Sequence, residues 1–286
     1  MKKLYDISKK YPILVGIVGF LVIYLSFMNI PVASEEFSYK VVVINILLTI
    51  ACTGFIALIS GDKILAYSSN KTAYGLLKGI PIVIVNALLI AGPVVFYAIS
   101  GKTAVHGWPL KLIWVAVFCL SIGLFEETLF RALINEAILY QFRDKKGVFV
   151  AIALISGFLF GFVHVVGADV HNFVTFLQAF LKTVNGIFFG LVLLSVYWKT
   201  RNIIACSVLH GLVDFVTYIP IVVFVSESES EGYVLEGEAE LGSLTVDTGA
   251  GMCVTYGIQL ALTVIALLVM LKFIKSIDFK KIREEW

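Results

Sequence analysis

The chain has 286 residues, of which 59% are hydrophobic and only 15% are charged, and its mean hydropathy is +0.96. Ordinary soluble domains are far more polar, so this composition indicates an integral membrane protein. The net charge of +2 is too small to indicate nucleic-acid binding. The four cysteines stand singly within apolar runs and indicate neither a disulfide framework nor a paired-cysteine metal site.

Eight apolar runs are each long enough to cross the hydrocarbon core, which requires about 20 residues of helix. The first run favours an uncleaved span over a cleaved signal peptide because of its length. The fourth run is longer than a bilayer requires, so we expect it to tilt or to project from the membrane. The fold class predicted is all-α, a polytopic membrane bundle of about eight transmembrane helices. The runs are 11–30, 41–60, 77–99, 110–141, 147–166, 173–198, 202–225 and 253–274.

The basic residues predict how the bundle is oriented. If both termini are cytoplasmic, 17 of the 22 lysines and arginines lie inside, only three lie outside and two lie within spans. This bias predicts that Ser8 and Ile277 lie on the cytoplasmic side and Glu236 outside. We expect the membrane to be the cell membrane. The loop 226–251 carries six glutamates and one aspartate without a basic residue, and we expect it to be a solvated, partly disordered outer loop.

The sequence contains no convincing internal repeat, soluble domain or long linker, so we expect a single integral membrane domain over residues 1–286. Glycines spaced by four, Gly157 with Gly161 and Gly186 with Gly190, occur in the fifth and sixth runs. Small residues at this spacing let helix backbones approach closely in membranes. The two runs are therefore predicted to pack tightly against their neighbours.

The stretch LFEETLFRALI, residues 124–134, places two adjacent carboxylates and an arginine inside the fourth run. Charged side chains in a span are costly, and those that occur usually face the protein interior and carry function. Glu127 and Arg131 are four residues apart with the acid first, which is the favourable order for an ion pair on a helix. Glu126 lies about 100° around the helix without a cation at that spacing, which makes it the candidate general base. For this stretch alone, an ion pair that only fixes packing is the alternative.

Two further stretches carry histidines: FLFGFVHVVG (158–167) in the fifth run and SVLHGLVDF (207–215) in the seventh. A single histidine in an apolar span is more often a hydrogen-bonded packing residue than a ligand. His210 and Asp214, however, are four residues apart and can reach the same point in the bundle interior. With His164 and the two glutamates, they form a set that can bind and activate water.

Two chemical routes are open to such a set. A divalent metal such as zinc, held by His164, His210 and Asp214, could acidify a bound water. In the metal-independent route, Glu126 takes the proton directly while the imidazoles orient the water and stabilise the oxyanion. The sequence lacks the HExxH pattern, in which one helix carries both ligands and the base, so any site must be assembled across helices.

Three motifs in this order resemble the CAAX prenyl protease 2 and bacteriocin-processing family of intramembrane proteases, also called the Abi or CPBP family. They are Glu-Glu-x-x-x-Arg at 126–131, Phe-x-x-x-His at 160–164 and His-x-x-x-Asp at 210–214, on separate predicted helices within a catalytic core of roughly 110–225. The resemblance implies an eight-helix-type bundle that hydrolyses a peptide bond in a membrane cavity. It also implies a peptide or protein substrate at the membrane, with the lipid bilayer as the other partner.

The resemblance also implies roles for individual residues. Glu126 is similar to the base that activates water, and Glu127 with Arg131 is similar to the supporting acid and its partner. His164, which follows the aromatic Phe160 by four residues, is similar to the imidazole that positions water or binds a metal.

By the same resemblance, His210 and Asp214 act at the oxyanion or at the metal. Position 214 is often Asn in the eukaryotic prenyl-protein branch and is Asp here. An ionised Asp would repel a developing oxyanion but would suit a divalent cation. This difference favours a metal and argues against assuming a prenylated substrate.

Two other function classes are compatible with buried acids and histidines. The first is an ion- or proton-coupled transporter in which Lys182, Gln178 and Asn185 provide the coupling, although transporters tend to show paired repeats with matching broken helices. The second is a non-enzymatic immunity or scaffold member of the same family, but all of the motif residues are present. His106 and His171 lie in predicted outer loops, where we expect them to be solvated.

Overall fold

A computed structural model of the chain describes residues 2–30, 37–61, 69–224, 238–241 and 244–285. It is a helical bundle with one short β-hairpin, and it confirms the predicted polytopic helical fold. The elements are α1 (Lys2–Lys10), α2 (Pro12–Asn29), α3 (Tyr39–Ser60), α4 (Ser69–Ile99), α5 (Trp108–Glu127), a π-helix (Thr128–Leu133), α6 (Ile134–Phe142), α7 (Val148–Val163), α8 (Phe173–Thr200), α9 (Ile203–Phe224), β1 (Glu238–Leu241), β2 (Leu244–Asp247), α10 (Thr248–Val269), α11 (Leu271–Lys275) and α12 (Phe279–Glu285).

Seven helices among the described residues are long and apolar enough to cross a membrane. They correspond to seven of the eight predicted runs, although α4 begins at Ser69 rather than at residue 77. The fifth predicted run, 147–166, is the exception, because its helix spans only the 16 residues Val148–Val163. Apolar composition alone does not mark this helix end, since the residues that follow it are also largely apolar.

The long fourth run is one continuous helical rod of 35 residues, Trp108–Phe142, with a π-helix in its middle. Single π-helical turns are uncommon and often adjoin functional sites. This one starts directly after Glu127. The buried hydroxyl of Ser156 donates to the carbonyl oxygen of Phe130 at 2.8 Å, which ties α7 to the π-helix.

Helices α5 and α9 approach each other at two glycines. A Cβ atom at Gly123 would meet the carbonyl oxygen of Ser207, and one at Gly211 would lie 2.9 Å from the carbonyl oxygen of Cys119. Real Cβ atoms do not tolerate such contacts with backbone, so glycine is required at both positions. The approach brings the residues that follow Gly123 on α5 beside those around Gly211 on α9.

The predicted close packing of small residues occurs between α7 and α8. A Cβ atom at Gly186 would lie 2.6 Å from the Cα atom of Gly161, and one at Gly190 would lie 3.6 Å from the Cα atom of Gly157. The four glycines singled out by their spacing therefore face one another across a single helix pair.

Both described ends of the chain meet around the short loop between α6 and α7. Lys9 Nζ donates to the hydroxyl of Tyr140 at 2.9 Å, and the rings of Phe279 and Phe149 lie 4.5 Å apart between centroids. The cytoplasmic orientation of this end stays a prediction. Glu236, which was predicted to lie on the opposite side, is outside the described residues.

Part of the acidic loop folds into a hairpin that is not predicted from the sequence. Strands β1 and β2 pair antiparallel, with Glu238 opposite Asp247. Residues 225–237 and 242–243 lie outside the described residues, so the prediction of partial disorder there stays a prediction.

Candidate active site

Glu127 anchors a buried network that joins α5, the π-helix and α9. Its Oε2 lies 3.1 Å from Nε of Arg131, and neither side chain is exposed, which confirms the ion pair predicted from their spacing. Its Oε1 lies 2.8 Å from Nδ1 of His210. Because a carboxylate oxygen only accepts hydrogen bonds, Nδ1 carries a proton and donates a hydrogen bond to Glu127. The bond fixes the imidazole with Nε2 directed away from Glu127.

The guanidinium group of Arg131 is held by few groups. Its Cζ lies 4.1 Å from the ring centroid of Phe160, a cation–π contact in a desolvated setting. A Cβ atom at Gly190 would lie 3.4 Å from Nη2, so the missing side chain on α8 leaves room for the guanidinium. Nη1 and Nη2 are buried and make no hydrogen bond to any described residue. The positive charge of Arg131 is therefore compensated mainly by the carboxylate of Glu127.

Glu126 lies beside this network rather than in it. Its Oε2 is 3.8 Å from Nε2 of His210 and 3.9 Å from Nε2 of His164. Both distances exceed a hydrogen bond, and this buried oxygen has no hydrogen-bond partner among the described residues. Polar atoms separated in this way can be bridged by a water molecule. The side chain as a whole is 19% exposed, so the group is accessible from outside the core.

His164 forms the C-terminal cap of α7, one residue beyond the last residue of the helix. Its Nδ1 lies 2.6 Å from the carbonyl oxygen of Phe160. A carbonyl oxygen only accepts, so Nδ1 carries a proton and, in the neutral ring, Nε2 presents a lone pair towards Glu126. The chain then turns at Gly167, whose φ of +83° suits glycine.

Asp214 lies one helical turn beyond His210 on the same face of α9. Its Oδ2 is 3.5 Å from Nε2 of His210, as their four-residue spacing predicts, and its side chain is 26% exposed. The His210 ring is enclosed by Phe160 and Phe189, whose ring centroids lie 5.6 and 5.1 Å away in nearly perpendicular orientation. Phe189 belongs to no motif, so nothing in the sequence points to its position against the imidazole.

The structure thus brings together all six residues predicted for the site. Three of them, His164, His210 and Asp214, were also predicted as metal ligands. The described part of the chain contains no group of three or more His, Cys, Asp or Glu side chains arranged to hold a metal ion. The metal route therefore stays a prediction, which chelation of the purified protein can test.

A second buried polar cluster lies at the far end of the same long helical rod, and its partners are not predicted from the sequence. It consists of Asn135, Glu136, Tyr197, Trp198 and Arg201. The fully buried Glu136 places Oε1 3.5 Å from Nη2 of Arg201 and accepts from the hydroxyl of Tyr197 at 3.4 Å. Asn135 accepts from the indole N–H of Trp198 at 2.7 Å. We call these five residues the second cluster.

The two remaining histidines lie in loops, as predicted, and are solvated. Nδ1 of His171 lies 3.3 Å from Oδ1 of Asp169, and their side chains are 53% and 89% exposed. His106 is exposed in the loop between α4 and α5.

Residues 108–216 match the family model described as type II CAAX prenyl endopeptidase Rce1-like. The matched segment begins at the first residue of α5 and extends just past Asp214, so it contains all six predicted site residues. No curated protein and no solved structure matches the chain. The match supports the resemblance drawn from the three motifs and suggests an intramembrane CAAX-type endopeptidase activity.

Proposed function

We propose that this chain, an integral membrane protein whose residues 108–216 belong to the type II CAAX prenyl endopeptidase family, hydrolyses a peptide bond of a membrane-associated peptide or protein. One observation carries the proposal: the buried Oε2 of Glu126 has no hydrogen-bond partner among the described residues and faces Nε2 of both His164 and His210. A carboxylate placed in this way can hold a water molecule against two imidazoles and accept its proton.

In the proposed first step, water donates one hydrogen bond to Oε2 of Glu126 and the other to Nε2 of His164. The lone pair on Nε2 is available because Nδ1 donates to the carbonyl oxygen of Phe160. The water oxygen attacks the carbonyl carbon of the substrate, and its proton passes to Glu126. The new C–O bond converts the carbonyl group into a tetrahedral oxyanion.

In the proposed second step, the oxyanion is stabilised by His210, which carries protons on both ring nitrogens throughout the cycle. Nδ1–H remains bonded to Glu127, and Nε2–H donates to the oxyanion. The C–N bond then breaks, and the protonated Glu126 returns its proton to the leaving amine. Glu126 ends the cycle as a carboxylate, so the reaction consumes one water and one peptide bond.

Arg131 and Glu127 act indirectly in this scheme. Glu127 fixes the ring orientation of His210, and Arg131 neutralises the buried carboxylate that does so. Their role is to hold the imidazole in place before the substrate arrives, so that little reorganisation is needed during the reaction.

Purified protein in detergent or lipid vesicles, incubated with a panel of membrane-associated peptides, tests this proposal. The panel contains C-terminal CAAX-type peptides with and without a prenyl group, together with amphipathic and single-span peptides. We expect cleavage of at least one of them by the wild-type protein and none by Glu126→Gln. Wild-type protein that cleaves no member of the panel would favour the binding or transport alternatives.

The same assay separates the two chemical routes. If Glu126 works without a metal, turnover persists in 1,10-phenanthroline after metal analysis has shown the protein to be metal-free. If His164, His210 and Asp214 hold a divalent ion, the chelator abolishes turnover and zinc or cobalt restores it.

A further inference from the structure

Lys182 is an intramembrane cation that takes no part in the two steps proposed above. It lies on α8, two helical turns before Phe189, whose ring packs against His210. The sulfhydryl of Cys206 on α9 lies 3.4 Å from the carbonyl oxygen of Leu193 on α8. These two contacts fix α8 and α9 as antiparallel neighbours and set their relative register.

The register places Lys182 close to Asp214. Asp214 follows His210 by four residues along α9, and Asn185 precedes Phe189 by four residues along α8. Because the two helices are antiparallel and Phe189 packs against His210, Asn185 and Asp214 lie at about the same level. Lys182 precedes Asn185 by three residues, an axial distance of about 4.5 Å, which its four-carbon side chain can cover.

The electrostatic interactions of Lys182 agree with this placement. Its ammonium group lies within the range of Coulomb attraction to the carboxylates of Asp214 and Glu126. Nζ also lies 5.7 Å from the ring centroid of Tyr256 on α10, so the side chain is in contact with a third helix. Lys182 is thus placed between α8, α9 and α10.

The charges of the site indicate what a cation at this position does. The site contains three carboxylates but, in the proposed second step, only two cations: Arg131, which is paired with Glu127, and the doubly protonated His210. Asp214 lies 3.5 Å from the His210 nitrogen that faces the proposed oxyanion. An uncompensated negative charge there would oppose the charge that develops on the substrate oxygen. A nearby cation removes that opposition.

We propose that Lys182 is a positioning residue for peptide hydrolysis, whose ammonium group compensates the charge of Asp214 beside His210. The inference rests on the proposed function and adds to it a residue outside the three motifs. The transporter alternative gives Lys182 the different role of an ion-coupling residue, which does not require coupling to Asp214.

A double-mutant cycle on Lys182→Met and Asp214→Asn tests the inference. Lys182→Met is expected to lower kcat about tenfold or more with a smaller change in KM, which is the size of effect expected between coupled neighbours. Asp214→Asn in the Lys182→Met background is expected to restore part of that loss, because it removes the charge left uncompensated. Lys182→Arg keeps the charge and is expected to retain more turnover than Lys182→Met.

A folded Lys182→Met protein with wild-type kcat would overturn the inference. So would effects of the two substitutions that simply multiply, since a residue with only a packing role would not be rescued by Asp214→Asn. Melting temperatures of the same four proteins report the coupling independently of turnover. If the wild-type protein cleaves no peptide, the proposed function fails, and melting temperatures without coupling would then overturn this inference as well.

Discussion

The helical rod from Trp108 to Phe142 buries carboxylates in two places, and the two places differ in what surrounds them. Beside Glu127 lie two imidazoles and a second glutamate, and the side chains of His164 and Glu126 are 17% and 19% exposed. In the second cluster, Glu136 is fully buried against a phenol and a guanidinium. The site around Glu127 contains imidazoles that can accept or donate a proton and side chains that another molecule can reach, whereas Glu136 is paired with a phenol and a guanidinium, which only donate to it.

Burial alone does not distinguish a catalytic carboxylate from a structural one. A buried carboxylate by itself indicates only that a partner compensates it. A candidate catalytic carboxylate needs, in addition, a neighbour that can share a proton and a side chain that another molecule can reach. Glu126 meets both conditions, because its Oε2 faces two imidazoles and its side chain is 19% exposed. Substitutions in the two places should therefore affect activity and stability in different proportions.

Glu127→Gln is expected to have the largest combined effect. The change leaves the buried guanidinium of Arg131 without its carboxylate, which costs roughly 3 to 5 kcal/mol when a buried pair is broken. It also weakens the hydrogen bond that orients His210, so we expect turnover to fall by about 100-fold or more. Turnover and the melting temperature of the purified variant check both effects. A variant that is inactive but as stable as wild type would exchange the roles assigned to Glu126 and Glu127.

Glu136→Gln is expected to affect stability without affecting catalysis. Arg201 is partly exposed, so the loss should be smaller, about 1 to 3 kcal/mol in the free energy of unfolding. Turnover per folded molecule should equal that of wild type. A folded Glu136→Gln protein without activity would show that the second cluster belongs to the active site and is not purely structural.

Phe160→Leu is expected to have an intermediate effect, because the ring contacts both the Arg131 guanidinium and the imidazoles. Loss of the cation–π contact and of packing should cost about 1 to 2 kcal/mol and lower turnover moderately. Phe130→Leu is the matched control. The Phe130 ring lies on the π-helix and packs against both Phe160 and Phe20. We expect a similar loss of stability with a smaller loss of turnover. Equal losses of turnover in both variants would argue against a specific role for Phe160.

Tyr197→Phe is expected to have the smallest effect. It removes one hydrogen bond of 3.4 Å to Glu136, which is worth about 0.5 to 1.5 kcal/mol. Turnover should not change. Thermal unfolding measured beside the Glu136→Gln variant would show whether the second cluster is structural throughout, and a loss of turnover here would again contradict that assignment.

The contacts that could be predicted from the sequence are those made within one helix. The pairs Glu127 with Arg131 and His210 with Asp214 follow from four-residue spacing, since helix geometry alone places them together. The glycine contacts between α7 and α8 follow from the same periodicity. Composition and hydropathy predicted the membrane bundle for a similar reason, because length and apolarity decide whether a helix can span.

The contacts that could not be predicted cross from one helix to another. The hydrogen bond between Glu127 and His210 joins residues 83 positions apart, and spacing carries no information about it. The position of Phe189 against the imidazole depends on the register of α8 with α9. The end of α7 before His164 is set by a turn within an apolar segment, where composition does not mark a boundary.

The role of Glu126 as the general base is tested by comparing Glu126→Gln with wild type on one cleaved peptide. We expect a loss of turnover of at least about 100-fold, the contribution of a positioned proton acceptor. We also expect an equal or higher melting temperature, because the change removes a buried charge that has no ion-pair partner on its own helix. A folded Glu126→Gln protein that cleaves the peptide at the wild-type rate would show that Glu126 is not the base.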